Sequence, residues 1–313
     1  MPDNNRIAYL FPGQGSQEVG MGKRLYEMYP EAQRIFDSAS EVLGFSLASL
    51  CFNGPEEELT QTINVQPAIL TTCVACLNVA REIAGAKMPL PAYVAGHSVG
   101  EYAALVANGM MGFKDAVLLV RERGRLMQQA SQDNPGVMMA LMGADEKTAA
   151  EICSDADMDI SNINGPGQIV ISGSKDNASK AKSSAESRGI RRIIPLKVNG
   201  AFHSRLMSTA AKGLKPIIES TRLHSSGIPL VSNVTGNFIY DAISLPEELS
   251  TQVIKCVQWQ RSVEAMVQNG VGIFIEFGHG QVVANLIKRI DPEVKVYNIG
   301  DIETENQTSV IIS

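Results

Sequence analysis

The stretch Ala92-Tyr93-Val94-Ala95-Gly96-His97-Ser98-Val99-Gly100, running on into Glu101-Tyr102-Ala103, decides the fold. An apolar run ends at a serine flanked by glycines and passes at once into a helical pattern, which reads as strand, sharp turn and helix. The pattern recurs twice. Arg6 to Phe11 runs into Pro12-Gly13-Gln14-Gly15-Ser16-Gln17, and Gly272 to Phe277 runs into Gly278-His279-Gly280 and a helix through Ile290. Strands alternating with helices predict a parallel α/β sheet, with the functional loops at the carboxyl ends of its strands.

Between Gly136 and Val198 the grammar changes. Strand (Val137 to Met142), helix (Asp145 to Ser154), strand (Met158 to Ile163), strand (Gln168 to Gly173), helix (Lys175 to Arg188) and strand (Arg192 to Val198) follow one another. This βαββαβ order is the ferredoxin-like split pattern, with its hairpin marked by Asn164-Gly165-Pro166-Gly167. The expected organisation is a large α/β domain over residues 1–130 and 200–313, with a small ferredoxin-like subdomain, residues 131–199, inserted into it.

With 313 residues, of which 44% are hydrophobic and 19% charged, the chain is long enough for one sizeable core plus a subdomain. The longest apolar run, Ala68 to Ala80, is interrupted by Thr and Asn and falls short of the ~20 apolar residues of a membrane span, so no such span is expected. Met1-Pro2-Asp3-Asn4-Asn5-Arg6 carries neither a basic nor an apolar leader region, which predicts a cytoplasmic protein. A net charge of -6 argues against nucleic acid as a partner. Five cysteines show no metal-ligand spacing beyond the single pair Cys73 and Cys76. That pair lies in an apolar helical run and reads as core packing.

Gly96-His97-Ser98-Val99-Gly100 has the Gly-x-Ser-x-Gly form of a nucleophile elbow, and its strand before and helix behind favour a nucleophile over an ordinary tight turn. A serine nucleophile needs a base, usually histidine. Of the four histidines, His97 points away from its neighbour Ser98 and reads as a bracing residue. His224 lies in a polar stretch and reads as solvated. His203, ending Gly200-Ala201-Phe202-His203, and His279, in a strand-to-helix loop, both remain open as the base. No carboxylate has a spacing that argues for a triad: Glu276 lies within a strand and Asp301 far along the chain, so a carbonyl oxygen is an equal candidate for orienting the imidazole.

Lys114 to Ala130 reads as a helix whose apolar arc includes Ala116, Val117, Val120, Gly124 and Met127. Arg123 falls in the middle of that arc, while Arg121 and Arg125 fall on the polar side and read as solvated. A core-facing guanidinium needs an anionic partner. That partner is either an internal Asp or Glu or a substrate carboxylate, which arginine grips with two parallel hydrogen bonds.

Gly13-Gln14-Gly15-Ser16-Gln17, Gln66-Pro67-Ala68, Gly96-His97-Ser98-Val99-Gly100-Glu101-Tyr102, Arg123-Gly124, Asn164-Gly165-Pro166-Gly167-Gln168 and Gly200-Ala201-Phe202-His203-Ser204 together resemble the malonyl-CoA:acyl-carrier-protein transacylase family, over nearly the whole chain. The resemblance implies an α/β-hydrolase-like large domain with the ferredoxin-like insertion. It makes Ser98 the nucleophile, His203 the base rather than His279, and Arg123 the clamp for the malonyl carboxylate. It also assigns the oxyanion hole to the backbone N–H groups of Gln14 and Val99, places Gln66 in the acyl pocket, and orients the histidine by a backbone carbonyl at Gln252.

The implied reaction is ping-pong transfer of malonyl from malonyl-CoA to the phosphopantetheine thiol of acyl carrier protein, supplying fatty acid biosynthesis, with no metal and no redox cofactor. A monomer is expected. An acidic carrier calls for a basic dock, for which Lys180, Lys182, Arg188, Arg191, Arg192 and Lys197 are candidates. A malonyltransferase serving a polyketide synthase shares every one of these residues. A carrier hydrolase is not expected to keep the arginine, and a non-catalytic docking module is not expected to keep Ser98, His203 and Arg123 together.

Overall fold

Strands β1 (Arg6–Phe11) and β2 (Tyr93–Gly96) lie side by side and parallel in a computed structural model that describes residues 5–300 and 307–308 of the chain. Both are buried on both faces, as continuous apolar strands of a covered parallel sheet are. The remaining strands of this sheet are β7 (Leu230–Val231), β8 (Phe238–Ile239), β9 (Val271–Phe277) and β10 (Lys295–Ile299), in the order β10-β9-β1-β2-β7-β8. Every neighbouring pair is parallel except β7 with the edge strand β8. The carboxyl ends of β1, β2, β7 and β9 therefore open on one rim, where Gln14, Ser98 and Asn233 follow their strands.

A second, antiparallel sheet is built from β3 (Gly136–Met142), β4 (Asp159–Gly165), β5 (Gln168–Ser174) and β6 (Arg192–Pro195) in the order β4-β5-β3-β6. With helices Glu146–Ala156 and Ala178–Ser187 between the strands, this is the ferredoxin-like arrangement, and the fold is an α/β-hydrolase-like domain carrying that unit. The last strand ends at Pro195, three residues before the expected Val198, although Leu196 N–H still donates to Met138 O (2.9 Å) on the neighbouring strand. Edge strand β4 is fastened to the large sheet's side of the molecule by Ile163 N–H to Val257 O (2.9 Å) and Val257 N–H to Ser161 O (2.8 Å).

Helix Thr62–Ala84, continued by a tighter turn to Lys87, is long and apolar enough to cross a membrane, contrary to the expectation from its Thr and Asn interruptions. In this structure 89% of its apolar window is buried inside the protein, packed against helices Pro30–Leu43 and Phe113–Asp133. It is the core helix of the large domain. Its interior residue Pro67 lacks the N–H that would pair with the Ile63 carbonyl, and Arg121 donates to that carbonyl instead (3.0 Å). Arg121 also bonds Asn64 Oδ1 and lies over the Phe45 ring, so it is not the freely solvated residue its helix face suggests. Burial raises the thiols of Cys51, Cys153 and Cys256 to about 12, as unreactive packing groups.

Candidate active site

Ser98 sits on the turn between β2 and helix Gly100–Ala107 with φ 53°, a left-handed conformation that costs energy for any residue bearing a Cβ. The turn is tight because its glycines have no side chain. A Cβ on Gly100 would lie 2.3 Å from Phe11 O, and one on Gly96 would lie 2.0 Å from Gly100 O. Strand and helix thus approach until the serine is thrust out at the rim of the sheet.

His203 comes to Ser98 from a segment 105 residues away, with Nε2 2.8 Å from Ser98 Oγ. Its Nδ1 is 2.7 Å from the main-chain oxygen of Gln252. A carbonyl only accepts, so Nδ1 carries the proton and Nε2 presents its lone pair to the serine. Burial, and then the positive charge of Arg123, lower His203 to about 3, which keeps the imidazole neutral. No carboxylate orients this histidine among the described residues. Glu276 instead accepts from Val283 N–H and Ala284 N–H (both 3.0 Å) and so caps helix Val282–Ile290, with burial raising it to about 7. Asp301 lies outside the described residues.

The other histidines are elsewhere. His279 Nε2 is 3.1 Å from Glu18, His224 is exposed, and His97 Nε2 is 2.9 Å from Asn164 Oδ1 with its ring against Trp259. His97 therefore braces the elbow against strand β4 of the small sheet.

Arg123, 1% exposed, occupies the floor. Gly124 lets it get there, since a Cβ at that position would meet Thr62 O at 2.5 Å and hold the two long helices apart. The guanidinium donates to Gln66 Oε1 (2.7 Å), Gln252 Oε1 (2.8 Å) and Ser98 Oγ (3.2 Å), while its Nε makes no hydrogen bond among the described residues. No described Asp or Glu lies within ion-pair distance of it. A buried cation held by neutral amide oxygens still has its charge available to an incoming anion.

Gln14 and Val99 face the same cleft, and among the described residues neither backbone N–H donates to another protein group. The cleft between the two sheets holds a cavity of about 160 Å³ whose polar wall includes Ser98, His203, Arg123, Asn162 and Asn164. Gln252, expected to contribute its carbonyl, also contributes its side chain, which touches Arg123 as above. Reading the sequence missed this second role, along with Asn162, Asn233 and the Glu101 side chain. The turn Ser232-Asn233-Val234-Thr235-Gly236, polar residues just after an apolar run, is the signal that could have found Asn233.

A serine beside a neutral histidine can support acyl transfer, and a buried cation beside them suits an acyl group with a free acid: the class is an acyltransferase. The acyl transferase domain matches residues 8–309 of the chain. The chain is 41% identical over 305 residues to the malonyl CoA-acyl carrier protein transacylase of Bacillus subtilis strain 168, covering 96% of this chain and 95% of that protein. Among solved structures it resembles an acyl carrier protein S-malonyltransferase from Vibrio cholerae, with TM-score 0.92, 38% identity and coverage of 96% and 99% of the two chains. It is also similar to a malonyl-transacylase solved in complex with its type II polyketide synthase acyl-carrier protein, with TM-score 0.93, 35% identity and coverage of 97% and 99%. The chain belongs to the malonyl-CoA:acyl-carrier-protein transacylase family, and it is an acyltransferase.

Proposed function

We propose that this chain transfers malonyl from malonyl-CoA to the phosphopantetheine thiol of acyl carrier protein through an ester on Ser98, supplying fatty acid biosynthesis. The observation that carries the reading is the 3.2 Å separation of Arg123 Nη2 from Ser98 Oγ. An acyl group joined to that oxygen reaches the guanidinium with a carboxylate only if the acid stands very close to the ester carbonyl. Malonyl, with one methylene between them, is such a group. An uncharged acyl chain leaves the buried cation without a partner, which disfavours it.

In the first half-reaction Ser98 Oγ attacks the thioester carbonyl while His203 Nε2 takes its proton. The oxyanion of the tetrahedral intermediate accepts from Gln14 N–H and Val99 N–H, each donor of this kind being worth about 3 kcal/mol. The C–S bond breaks and the CoA sulfur leaves with the proton from His203. In the second half the carrier thiol gives its proton to His203 and attacks the ester, and Ser98 recovers a proton as it departs. Gln66 does not line the cavity itself but accepts from Arg123 and so helps to hold the guanidinium in place. The cycle balances without a metal or a redox cofactor.

The carrier dock is proposed on the small subdomain. Lys182 and Arg188 are engaged with Glu186, Glu151 and Asp155, whereas Lys180, Arg191, Arg192 and Lys197 are exposed and make no ion pair among the described residues. Likeness to a transacylase seen with a polyketide synthase carrier supports a second reading, in which the same transfer serves a polyketide pathway. Intact-mass measurement after mixing with malonyl-CoA tests the chemistry. A malonyl adduct on Ser98 that persists until holo acyl carrier protein is added is expected. Absence of the adduct counts against the transfer, and rapid release to water counts for a hydrolase.

A further inference from the structure

Behind the elbow lies a buried carboxyl group that the chemistry above does not use. Glu101, 0% exposed, is the third residue after the serine and points back beneath the turn. Its Oε1 accepts from Asn233 N–H (2.9 Å) and from Asn233 Nδ2 (3.0 Å), and its Oε2 accepts from Gln252 Nε2. The two amide side chains it holds lead to opposite parts of the site.

Asn233 Oδ1 accepts the Ser98 N–H (2.7 Å) and its Nδ2 donates to Gly96 O (2.7 Å), so one carboxamide grips the elbow on both sides of His97. Gln252 turns its Nε2 to Glu101 and to Ser98 O (3.0 Å), which leaves its Oε1 aimed at Arg123 (2.8 Å). An amide has one accepting end and one donating end, and its orientation is decided by what surrounds it. Glu101 supplies the acceptors that decide both.

We propose that Glu101 is a positioning residue that couples the strained serine to the arginine clamp, through Asn233 on one side and Gln252 on the other. The reasoning rests on the clamp role of Arg123 proposed above. As a carboxylate, Glu101 offers two accepting oxygens to three N–H donors. Glutamine of the same size offers one accepting oxygen and one donating nitrogen. In Glu101→Gln at least one buried N–H therefore faces another donor, and either the Asn233 or the Gln252 carboxamide is driven from its orientation.

The experiment is single-turnover loading of Ser98 by malonyl-CoA and by acetyl-CoA, per mole of folded enzyme, in wild type, Glu101→Gln and Gln252→Met. Gln252→Met keeps the main-chain carbonyl that orients His203 and removes only the side-chain link. Glu101→Gln is expected to slow malonyl loading about tenfold or more. Both variants are expected to lower the malonyl-over-acetyl ratio by a similar factor. A residue that merely supported the fold would lower the folded fraction and leave that ratio unmoved. An unchanged malonyl-over-acetyl ratio in either Gln252→Met or Glu101→Gln overturns the proposal. A wild-type enzyme that shows no preference for malonyl instead counts against the clamp itself.

Discussion

His203 Nδ1 lies 2.7 Å from the main-chain oxygen of Gln252, a residue whose side chain, at the same time, accepts a hydrogen bond from Arg123. One residue thus orients the base through its backbone and the clamp through its amide. The pairing separates two requirements that a triad carboxylate would confuse. A carboxylate behind His203 would stabilise the imidazolium, but it would also stand near Arg123 and compete with a substrate acid for its charge. A carbonyl holds the tautomer with no such competition.

Arg123→Ala is expected to lower malonyl loading about a hundredfold or more, the scale of losing a buried charge-assisted contact. Acetyl loading should fall far less, so the preference shifts toward acetyl. Competition between the two acyl-CoA substrates, read by mass on Ser98, measures it, and an unchanged preference would show Arg123 to be structural.

The pH dependence follows from His203, held at about 3 against an ordinary value of 6.5 by burial first and Arg123 second. The neutral form is thus retained in the folded enzyme well below neutrality, and loading by an uncharged acyl-CoA should stay flat into mild acid. Removing Arg123 takes away the positive charge that helps to lower the value, so in Arg123→Ala the acid limb should move to higher pH. Stability has the matching sign. Between 6.5 and about 3 the unfolded chain binds the proton more readily than the folded one, so the fold loses stability as pH falls through that window. Urea unfolding of wild type and His203→Asn across this range should show a smaller loss in the variant, which keeps the contribution of His97, also lowered by burial.

Gly100→Ala places a Cβ 2.3 Å from Phe11 O and 2.7 Å from Pro12 O, backbone atoms that cannot swing aside. A destabilisation of about 2–4 kcal/mol is expected, together with loss of loading because β1 and the elbow must separate. The urea midpoint and the loading rate measure the two effects.

Glu276→Ala removes the acceptor for two N–H groups at the start of helix Val282–Ile290. A cost of about 1–3 kcal/mol in unfolding free energy is expected. A variant as stable as wild type would mean that water replaces the cap.

Reversing charge at Arg191 and Arg192 should raise KM for the acyl carrier protein about tenfold at low salt, with the effect shrinking as salt is added. Malonyl loading from CoA should change little. Steady-state transfer measured at two ionic strengths tests the dock, and an unaltered KM would place it elsewhere.

Local pattern along the chain encodes the elements and part of the chemistry. The strand, glycine-flanked serine and helix at 92–103 follow from apolar run and turn chemistry, and the βαββαβ order of the second sheet follows from periodicity and an Asn-Gly-Pro-Gly hairpin. Arg123 stood out because a charge in an apolar helical arc is visible in one dimension. Family motifs then favoured His203 over His279. The rest depends on packing between elements far apart in the chain. That Arg121 answers the carbonyl orphaned by Pro67, that Glu276 caps a helix, and that the apolar helix Thr62–Ala84 is a core helix all depend on what packs beside them. The wiring of Glu101, Asn233 and Gln252 to Ser98 and Arg123 spans more than 130 residues of chain. Hydrogen bonds of this kind join single polar atoms across such separations and impose no period on the sequence, so folding alone brings their partners together.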